Sequence, residues 1–228
     1  MSLAAHGQAA APLAEVVLVR HGQANAAATD EASYDKLSQL GHQQATWLGE
    51  WLRATEVEFD RAISGSLIRH RETAAAMATG ETVVDARWNE ISYFPLSTAY
   101  ADHHGVSEPD QPEDFADYFL GLAQAWEADS LPGAPETWLN FRGRVLSALD
   151  AQREAGGRTL VVTSGGVIGL AVSAALGLGT DGMARLAVAI ENTSMHRLVW
   201  RGGRWRMLEF GASPHLATPD RVHARTYI

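Results

Sequence analysis

The stretch Glu15–Gln23, EVVLVRHGQ, joins a run of β-branched residues to a sudden change in character. Its first six residues, Glu15–Arg20, are typical of a strand that is buried on both faces. The run stops at His21, which stands between an arginine and a glycine. In open parallel sheets, functional side chains collect at the carboxyl ends of the strands. The stretch therefore predicts a central strand that carries Arg20 and His21 to a functional site.

Strand and helix patterns alternate along the rest of the chain. Strands are predicted at 61–64, 82–85 and 159–163, and helices at 37–54, 67–78, 113–127, 136–154 and 167–176. Two last strands, 194–200 and 204–210, flank the pair Gly202-Gly203, which is typical of a hairpin turn. This order favours a three-layer α/β fold, αβα, with a mostly parallel sheet and an antiparallel edge hairpin.

The composition excludes several classes of function. The chain has 228 residues, 18 Lys+Arg against 27 Asp+Glu, and a net charge of −9. Binding to nucleic acid or to an anionic membrane needs a basic surface, so neither partner is expected. The absence of cysteine excludes disulfides, thiolate metal sites and cysteine nucleophiles, and it is compatible with the cytoplasmic location that we expect.

The acidity is confined to one segment. Residues 88–141 contain ten acidic residues and no Lys or Arg, so the rest of the chain has 18 basic and 27 − 10 = 17 acidic residues, a net charge of +1. We expect a disordered lead-in at 1–14 and a single domain at 15–228, with 88–141 as an acidic, lid-like insertion. An acidic lid would disfavour polyanionic ligands.

The residues that follow two more predicted strands are of types that bind anions. Residues 64–74, SGSLIRHRETA, form a Ser/Gly turn followed by a helix with Arg69 in its first turn. Backbone N–H groups at a helix N-terminus, together with a guanidinium, bind anions. Residues 163–166, TSGG, place two glycines where a backbone can approach a bound anion closely. Taken alone, each pattern is also common in structural loops.

Together, these stretches resemble the motifs of the histidine phosphatase superfamily, the phosphoglycerate-mutase-like group. LVRHGQ at 18–23 is similar to the family's opening motif, 64–74 to its S-x-L-x-R-x-x-x-T-A element, and 163–168 to its S-H-G-G-x-I turn. Further similar segments are 37–45, 88–90, 192–194 and 205–216. The resemblance extends from residue 15 to about residue 216.

The resemblance implies a covalent, two-step phosphoryl transfer without a metal or another cofactor. His21 would be the nucleophile and form a phosphohistidine, and Arg20 and Arg69 would neutralise the phosphoryl oxygens. Glu90 would protonate the leaving alcohol and then activate water, a task for which its pKa should be raised. Other contacts to a small phosphorylated substrate are expected from Gln23, Asn25, Ser164 and Gly165.

One position departs from the family. Ser164 stands where the family has a second histidine, which donates a charged hydrogen bond to the transferred phosphoryl group. Serine keeps a donor but lacks the charge, and removing one such donor typically slows a reaction about 10²–10³-fold. A slower or altered enzyme is therefore expected. The sequence leaves open whether His103, His104 or His196 folds back to replace the missing imidazole.

Three alternative functions remain open, and so does one assembly, a homodimer. Ser164 suggests a phosphoester-binding module with impaired catalysis. Asp102-His103-His104 has the letters of a metal-binding triplet from one class of metal-dependent phosphoesterases, although its companion motifs are not evident. A phosphoglycerate mutase is less favoured than a phosphatase, because 88–141 supplies no basic residue for the substrate carboxylate. The terminal hairpin leaves a homodimer open.

Overall fold

The structure is a computed structural model that describes residues 14–25, 28, 30–109 and 111–227. In these ranges the strands are β1 (Ala14–Arg20), β2 (Arg61–Ser64), β3 (Thr82–Val84), β4 (Gly157–Thr163), β5 (Met195–Arg201) and β6 (Arg204–Ala212). The helices are α1 (Glu31–Tyr34), α2 (Gln39–Ala54), α3 (Ile68–Met77), α4 (Tyr93–His104), α5 (Pro112–Glu127), α6 (Trp138–Ala155), α7 (Gly165–Leu176) and α8 (Thr180–Val188).

The sheet has the strand order β3-β2-β4-β1-β5-β6. The first four of these strands are parallel, whereas β5 is antiparallel to β1 and β6 is antiparallel to β5. The prediction of a mostly parallel sheet with an antiparallel edge hairpin is thus confirmed. Because β1 and β4 are adjacent at the centre, the carboxyl ends of both lie side by side at one edge of the sheet.

Helices cover both faces of the sheet, as the expected three layers require. Successive side chains of a strand point to opposite faces, and β1 is buried on both. Val16 and Leu18 belong to a core with residues of α5, α6, α7 and α8. Val17 and Val19 belong to a second core with residues of α2 and α3. The β-branched run of β1 therefore holds the two helical layers together.

Several predicted elements differ in extent from the observed ones. β1 already begins at Ala14, inside the segment expected to be disordered, while residues 1–13 lie outside the described ranges. The expected loop before 113 contains α4, whose buried residues are Leu96, Ser97 and Ala99. These three form no apolar stripe that a periodicity argument detects. The short α1 and the glycine-containing α8 were also not predicted.

The acidic segment 88–141 is built into the main core. Leu122, Trp126 and Phe141 are at most 4% exposed and pack in the same cluster as the residues of β1 and α7. The segment is therefore a wall of the domain and not an element that only touches it at the surface. None of the helices in the described part of the chain is long and apolar enough to cross a membrane.

Candidate active site

A cavity of about 390 Å³ lies at the carboxyl ends of the parallel strands, and this volume is usual for a small-molecule site. The turns after β1 and β4 and the first turn of α3, which follows β2, meet at this edge. The structure therefore brings together groups that are far apart in sequence. Of the residues expected at the site, those that line the cavity are Arg20, His21, Asn25, Arg69, Glu90, Ser164 and Gly165.

His21 follows β1 and is 2% exposed. Its Nδ1 lies 2.7 Å from the Gly22 carbonyl oxygen, an acceptor, so Nδ1 carries the proton and Nε2 keeps its lone pair. Burial, followed by the charges of Arg69 and Arg20, holds the pKa of His21 well below 6.5. The imidazole is therefore neutral at pH 7, in the tautomer that a nucleophile needs.

The turn that carries His21 is fixed by its neighbours. His21 N donates to the Thr163 carbonyl at 2.9 Å, and Asn192 Nδ2 donates to the His21 carbonyl at 3.0 Å. Gly22 N donates to Thr73 Oγ1 at 3.0 Å. These contacts join the ends of β1 and β4 to α3, so the backbone of the turn is held by three separate parts of the chain.

Arg20 is 8% exposed, and its Nη1 donates to the carbonyl oxygens of Ile190 and Tyr227. Its Nε has no partner among the described residues. Burial lowers the pKa of Arg20 from its usual range, but a guanidinium stays charged near neutral pH. The last described residues are anchored nearby, because Gln44 Nε2 donates to Thr226 Oγ1 at 2.9 Å. The carboxyl end of the chain thus helps to orient one of the two arginines.

Arg69 is 1% exposed and pairs with two carboxylates near α1. Its Nη1 lies 3.0 Å from Asp35 Oδ1 and 3.6 Å from Glu31 Oε1, and its guanidinium carbon lies 5.0 Å from the centre of the Tyr34 ring. Asp35 also accepts from the N–H groups of Ile68 and Arg69, at 2.9 and 3.2 Å. The anion site expected at the N-terminus of α3 is therefore occupied by Asp35, while Arg69 itself lines the cavity.

Glu90 lies at the cavity wall, held by two backbone donors. Its Oε2 accepts from Gly166 N at 2.7 Å and its Oε1 from Ile91 N at 3.1 Å. Burial raises the pKa of Glu90 above 4.5 and outweighs both hydrogen bonds and the charge of Arg69. A side chain at Gly166 is excluded, since its Cβ would lie 2.6 Å from Glu90 Oε1. The second glycine of the TSGG turn thus makes room for a carboxyl group suited to donate a proton.

Ser164 lines the cavity and contacts a histidine that the sequence did not point to. Its Oγ lies 2.6 Å from Nε2 of His70, and the His70 ring is fully buried, 5.7 Å from the His21 ring between centres. Of the three histidines considered as replacements, His103 and His104 are exposed at the end of α4, and His196 bonds through Nε2 to Ser194.

The remaining expected contacts differ in their placement. Gln23 does not line the cavity, and its Oε1 accepts from Ser38 Oγ, the N-cap of α2, at 2.8 Å. Asn25 lines the cavity and donates through Nδ2 to the Ser33 carbonyl at 2.9 Å. Gly165 lies at the start of α7, where a Cβ would come within 3.9 Å of the Arg20 Nε. A role of Gln23 in binding substrate stays a prediction.

The far end of the cavity is aromatic. Its walls come largely from the 88–141 segment and include Tyr93, Phe94, Phe115, Phe119, Trp126 and Phe141. Met183 and Ala187 of α8 line it as well. The cavity thus joins a phosphate-sized polar end to a larger apolar end.

The suggested metal triplet lies elsewhere. Asp102, His103 and His104 are exposed and do not line the cavity. Within the ranges that the structure describes, no three His, Cys, Asp or Glu side chains are grouped as metal ligands. Cationic charge at the polar end comes from Arg20 and Arg69.

An imidazole nucleophile, two guanidinium groups and a carboxyl group with a raised pKa are the groups that phosphoryl transfer through a covalent intermediate requires. Comparison with protein families matches residues 16–213 to the histidine phosphatase superfamily (branch 1). The chain therefore belongs to the histidine phosphatase superfamily, as its motifs predict.

Known proteins that are similar to this chain in sequence or fold include phosphoglycerate mutases and a phosphatase. A protein named probable phosphoglycerate mutase from Erwinia tasmaniensis is 27% identical over 213 residues, which cover 89% of this chain and 94% of that protein. A phosphoglycerate mutase from Bacillus anthracis has a TM-score of 0.63 at 20% identity, covering 90% of this chain and 96% of its own. A phosphoserine phosphatase from Entamoeba histolytica, solved with 3-phosphoglyceric acid, has a TM-score of 0.63 at 19% identity, covering 89% and 98%.

Proposed function

We propose that the protein is a metal-independent phosphomonoesterase that works through a phosphohistidine on His21. The observation that carries the proposal is the tautomer of His21. Its Nδ1 proton is bonded to the Gly22 carbonyl, which leaves Nε2 as the nucleophilic atom in a cavity that also contains Arg20 and Arg69. The two guanidinium groups supply the positive charge that the phosphoryl oxygens need in the transition state.

The reaction proceeds in two balanced steps. In the first, the His21 Nε2 lone pair forms a bond to phosphorus, the P–O bond to the alcohol breaks, and Glu90 gives its proton to the departing oxygen. In the second, water attacks phosphorus, Glu90 takes a proton from that water, and the N–P bond breaks to release inorganic phosphate. A carboxyl group with a raised pKa suits both roles because it exchanges its proton closer to neutral pH.

Hydrolysis is favoured over a mutase reaction by the charges at the cavity. Among the lining residues that the structure describes, Arg20 and Arg69 are the cationic ones, and both belong to the phosphate end. A phosphoglycerate also has a carboxylate, for which the other end offers aromatic rings and the acidic Glu108. Water is therefore the preferred acceptor, and the expected substrate is a small monophosphate with an uncharged or cationic remainder.

The test is to trap the intermediate. The protein is mixed with 4-nitrophenyl phosphate, quenched in alkali and digested, and the peptide that contains His21 is examined by mass spectrometry. We expect one acid-labile, base-stable phosphoryl group on His21, none in His21→Asn, and more in Glu90→Gln, since that variant hydrolyses the intermediate slowly. His103→Asn, an exposed histidine, should label like the wild type. Labelling and turnover should both survive exhaustive chelation.

The alternative is a binding module, which Ser164 suggests. A wild-type protein that binds vanadate or phosphate but shows neither phosphate release nor label on His21 would establish that alternative and refute the esterase. Label that appears on His21 but passes to added glycerate in preference to water would instead establish a mutase.

A further inference from the structure

The aromatic end of the cavity begins at the phosphate end and leads away from it. Arg69 lies over the Tyr34 ring, and the ring centres of Tyr34 and Phe94 are 6.1 Å apart. From Phe94, the row continues through Tyr93, Phe115 and Phe119, with successive centres 5.8, 6.0 and 6.0 Å apart. A group esterified to a phosphate on His21 and Arg69 therefore has an apolar surface within reach.

The floor of this region is rigid. Leu122 and Phe141 are 1% exposed and Trp126 is 4% exposed, and all three belong to the main core. The Trp126 indole also donates through Nε1 to the Glu136 carbonyl at 2.8 Å. On such a preformed apolar surface, each apolar group of a ligand that leaves water increases the affinity, because little conformational entropy is lost on binding.

From these observations, we infer that the aromatic end binds the alcohol portion of the substrate and selects an uncharged aryl or medium-length alkyl group. The inference rests on the proposed function, because it assigns the substrate class of the same site. At the far end of the aromatic row, Glu108 lines the cavity and no cation does among the described residues, so a second anionic group on the substrate would meet a carboxylate there. The preferred substrates are thus phosphate monoesters of apolar alcohols.

A methylene series tests this inference. For n-alkyl phosphates from ethyl to hexyl, the chemistry of the leaving group is nearly constant, so changes in kcat/KM report the fit of the chain. We expect kcat/KM to rise about fourfold per methylene until the cavity is full, since each buried methylene contributes about 0.8 kcal/mol. In Phe119→Ala the rise should flatten, whereas Leu120→Ala, the next position of α5, which does not line the cavity, should keep it.

Binding separates this inference from the proposed function. The affinities of n-alkylphosphonates, which are not hydrolysed, should rise with chain length even if the protein released no phosphate from any ester. Adding a terminal carboxylate to hexylphosphonate should weaken binding at least about tenfold, because about 1.4 kcal/mol of desolvation and repulsion is expected. Affinities that are flat along the series, or stronger for the carboxylated compound, would overturn the inference.

A separate observation concerns His70 and Ser164. Their hydrogen bond is 2.6 Å long, and both side chains are at most 2% exposed. The His70 ring occupies space next to Gly65, since a Cβ at that position would lie 2.2 Å from His70 Nδ1. Where family members are expected to have an imidazole at position 164, this chain thus has a hydroxyl with an imidazole directly behind it.

The proton of His70 is best placed on Nε2. Its Nδ1 has no hydrogen-bond partner among the described residues, so a proton there would be a buried donor without an acceptor. Burial, together with the charge of Arg69, holds the pKa of His70 well below 6.5 and keeps the ring neutral. When Nε2–H donates to Ser164 Oγ, the serine proton is left to point at a bound phosphoryl oxygen.

We propose, independently of the substrate class, that His70 is a positioning residue that aims the Ser164 hydroxyl at the phosphoryl group. The pair then stands in for the missing histidine, with a neutral donor in place of a charged one. The effect should appear in kcat, since the bond strengthens as charge develops on the phosphoryl oxygens.

A double-mutant cycle tests the pair. Ser164→Ala should lower kcat about 10²-fold with little change in KM, because one preorganised donor is lost. His70→Leu should cause a similar loss, His70→Gln, which keeps an amide N–H, should recover part of it, and the double variant should be no slower than Ser164→Ala. A wild-type kcat in His70→Leu would refute the proposal. So would a double variant whose loss of kcat equals the product of the two single losses.

Two further variants guard against a folding artefact. His215 is a matched control, since it is also buried, bonds through Nε2 to a hydroxyl, that of Thr193 at 2.8 Å, and does not line the cavity. His215→Leu should lower the melting temperature as much as His70→Leu but keep kcat. The exchange variant His70→Ala/Ser164→His should be faster than His70→Ala, whereas Ser164→His alone, with two imidazoles in one space, should lose activity.

Discussion

The two ends of the cavity are built by opposite means. At the phosphate end, polar groups are held by partners from other parts of the chain, as Arg69 is by Asp35 and Glu90 is by Gly166. At the far end, the lining is a surface of the main core, with aromatic rings and no cation among its described residues. The phosphate end is arranged for one geometry, whereas the apolar end accepts a class of shapes. Changes at the first should therefore alter rate constants, and changes at the second should alter selectivity.

The largest effect is expected for Glu90→Gln. With an alkyl phosphate, kcat should fall about 10³-fold, because the alkoxide then leaves without a proton. With 4-nitrophenyl phosphate, whose leaving group needs no proton, release of nitrophenol in the first turnover should change little, whereas later turnovers slow because the variant hydrolyses the phosphohistidine slowly. Single-turnover rates for the two esters give the measurement, and equal losses for both would remove Glu90 from the role of general acid.

The pH dependence follows from the same group. Because burial raises the pKa of Glu90, the carboxyl keeps its proton above pH 4.5 and loses it as the pH rises through the raised value. For alkyl phosphates, kcat/KM should fall on that alkaline side, and on the acid side only well below pH 6.5, where His21 takes up a proton. Glu90→Gln should lack the alkaline decrease, while ionisation of the substrate affects both proteins alike.

Trp126→Ala tests whether the acidic wall is part of the core. Trp126 is 4% exposed and packs against Trp138 and Phe141 with ring centres 5.2 and 5.1 Å away. We expect the free energy of unfolding to fall by about 3–5 kcal/mol, in a single transition, in urea denaturation followed by circular dichroism. Leu139→Ala, at a 74% exposed position, should change it by less than about 0.5 kcal/mol. A separate early transition would mean that 88–141 is a detachable lid.

Arg69→Lys should slow the reaction about 10²-fold, which is less than the loss expected for Glu90→Gln. Lysine keeps the charge but cannot contact Asp35 and a phosphoryl oxygen at once with a planar group. Arg87→Lys is the matched control, because that arginine is 42% exposed and pairs with Asp85 outside the cavity. Equal kcat/KM values for both variants would contradict a phosphate-binding role for Arg69.

The smallest effect is expected at the apolar end. Glu108→Gln should raise kcat/KM for 3-phosphoglycerate about threefold at low salt, and the gain should shrink in salt, as screened charges do. The value for hexyl phosphate should not change. Glu127→Gln, an exposed acid at the end of α5, serves as the control. A gain of the same size for both esters would show that charge does not contribute to the selectivity.

The sequence predicted the phosphate end better than the apolar end. His21, Arg69 and Ser164 each follow a strand within a few residues, so a local pattern and the rule for strand ends place them at one edge. The aromatic lining depends on how α4 and α5 pack, and α4 has no stripe of apolar residues to reveal it. The ten acidic residues distinguish the 88–141 segment in the sequence, but they do not indicate that its side facing the cavity is apolar.

Long-range pairs account for most of what was missed. His70 and Ser164 are 94 positions apart, and no spacing rule connects them. Likewise, Asp35 occupies the N-terminus of α3 from a turn before α2, and no local pattern predicts that contact. The one available signal was negative, the absence of histidine at position 164. Of the three histidines that the sequence left open as substitutes, none lines the cavity. The expected cytoplasmic location and the homodimer stay predictions.

The bond from Arg20 to the Tyr227 carbonyl has a practical consequence for handling the protein. We expect an affinity tag attached next to Tyr227 to disturb the segment that orients a guanidinium of the site, and so to lower the measured activity. A tag at the amino terminus is the safer choice, because β1 begins at Ala14 and reaches the cavity only at its opposite end. The position of the tag should therefore affect the activity that is measured for this protein.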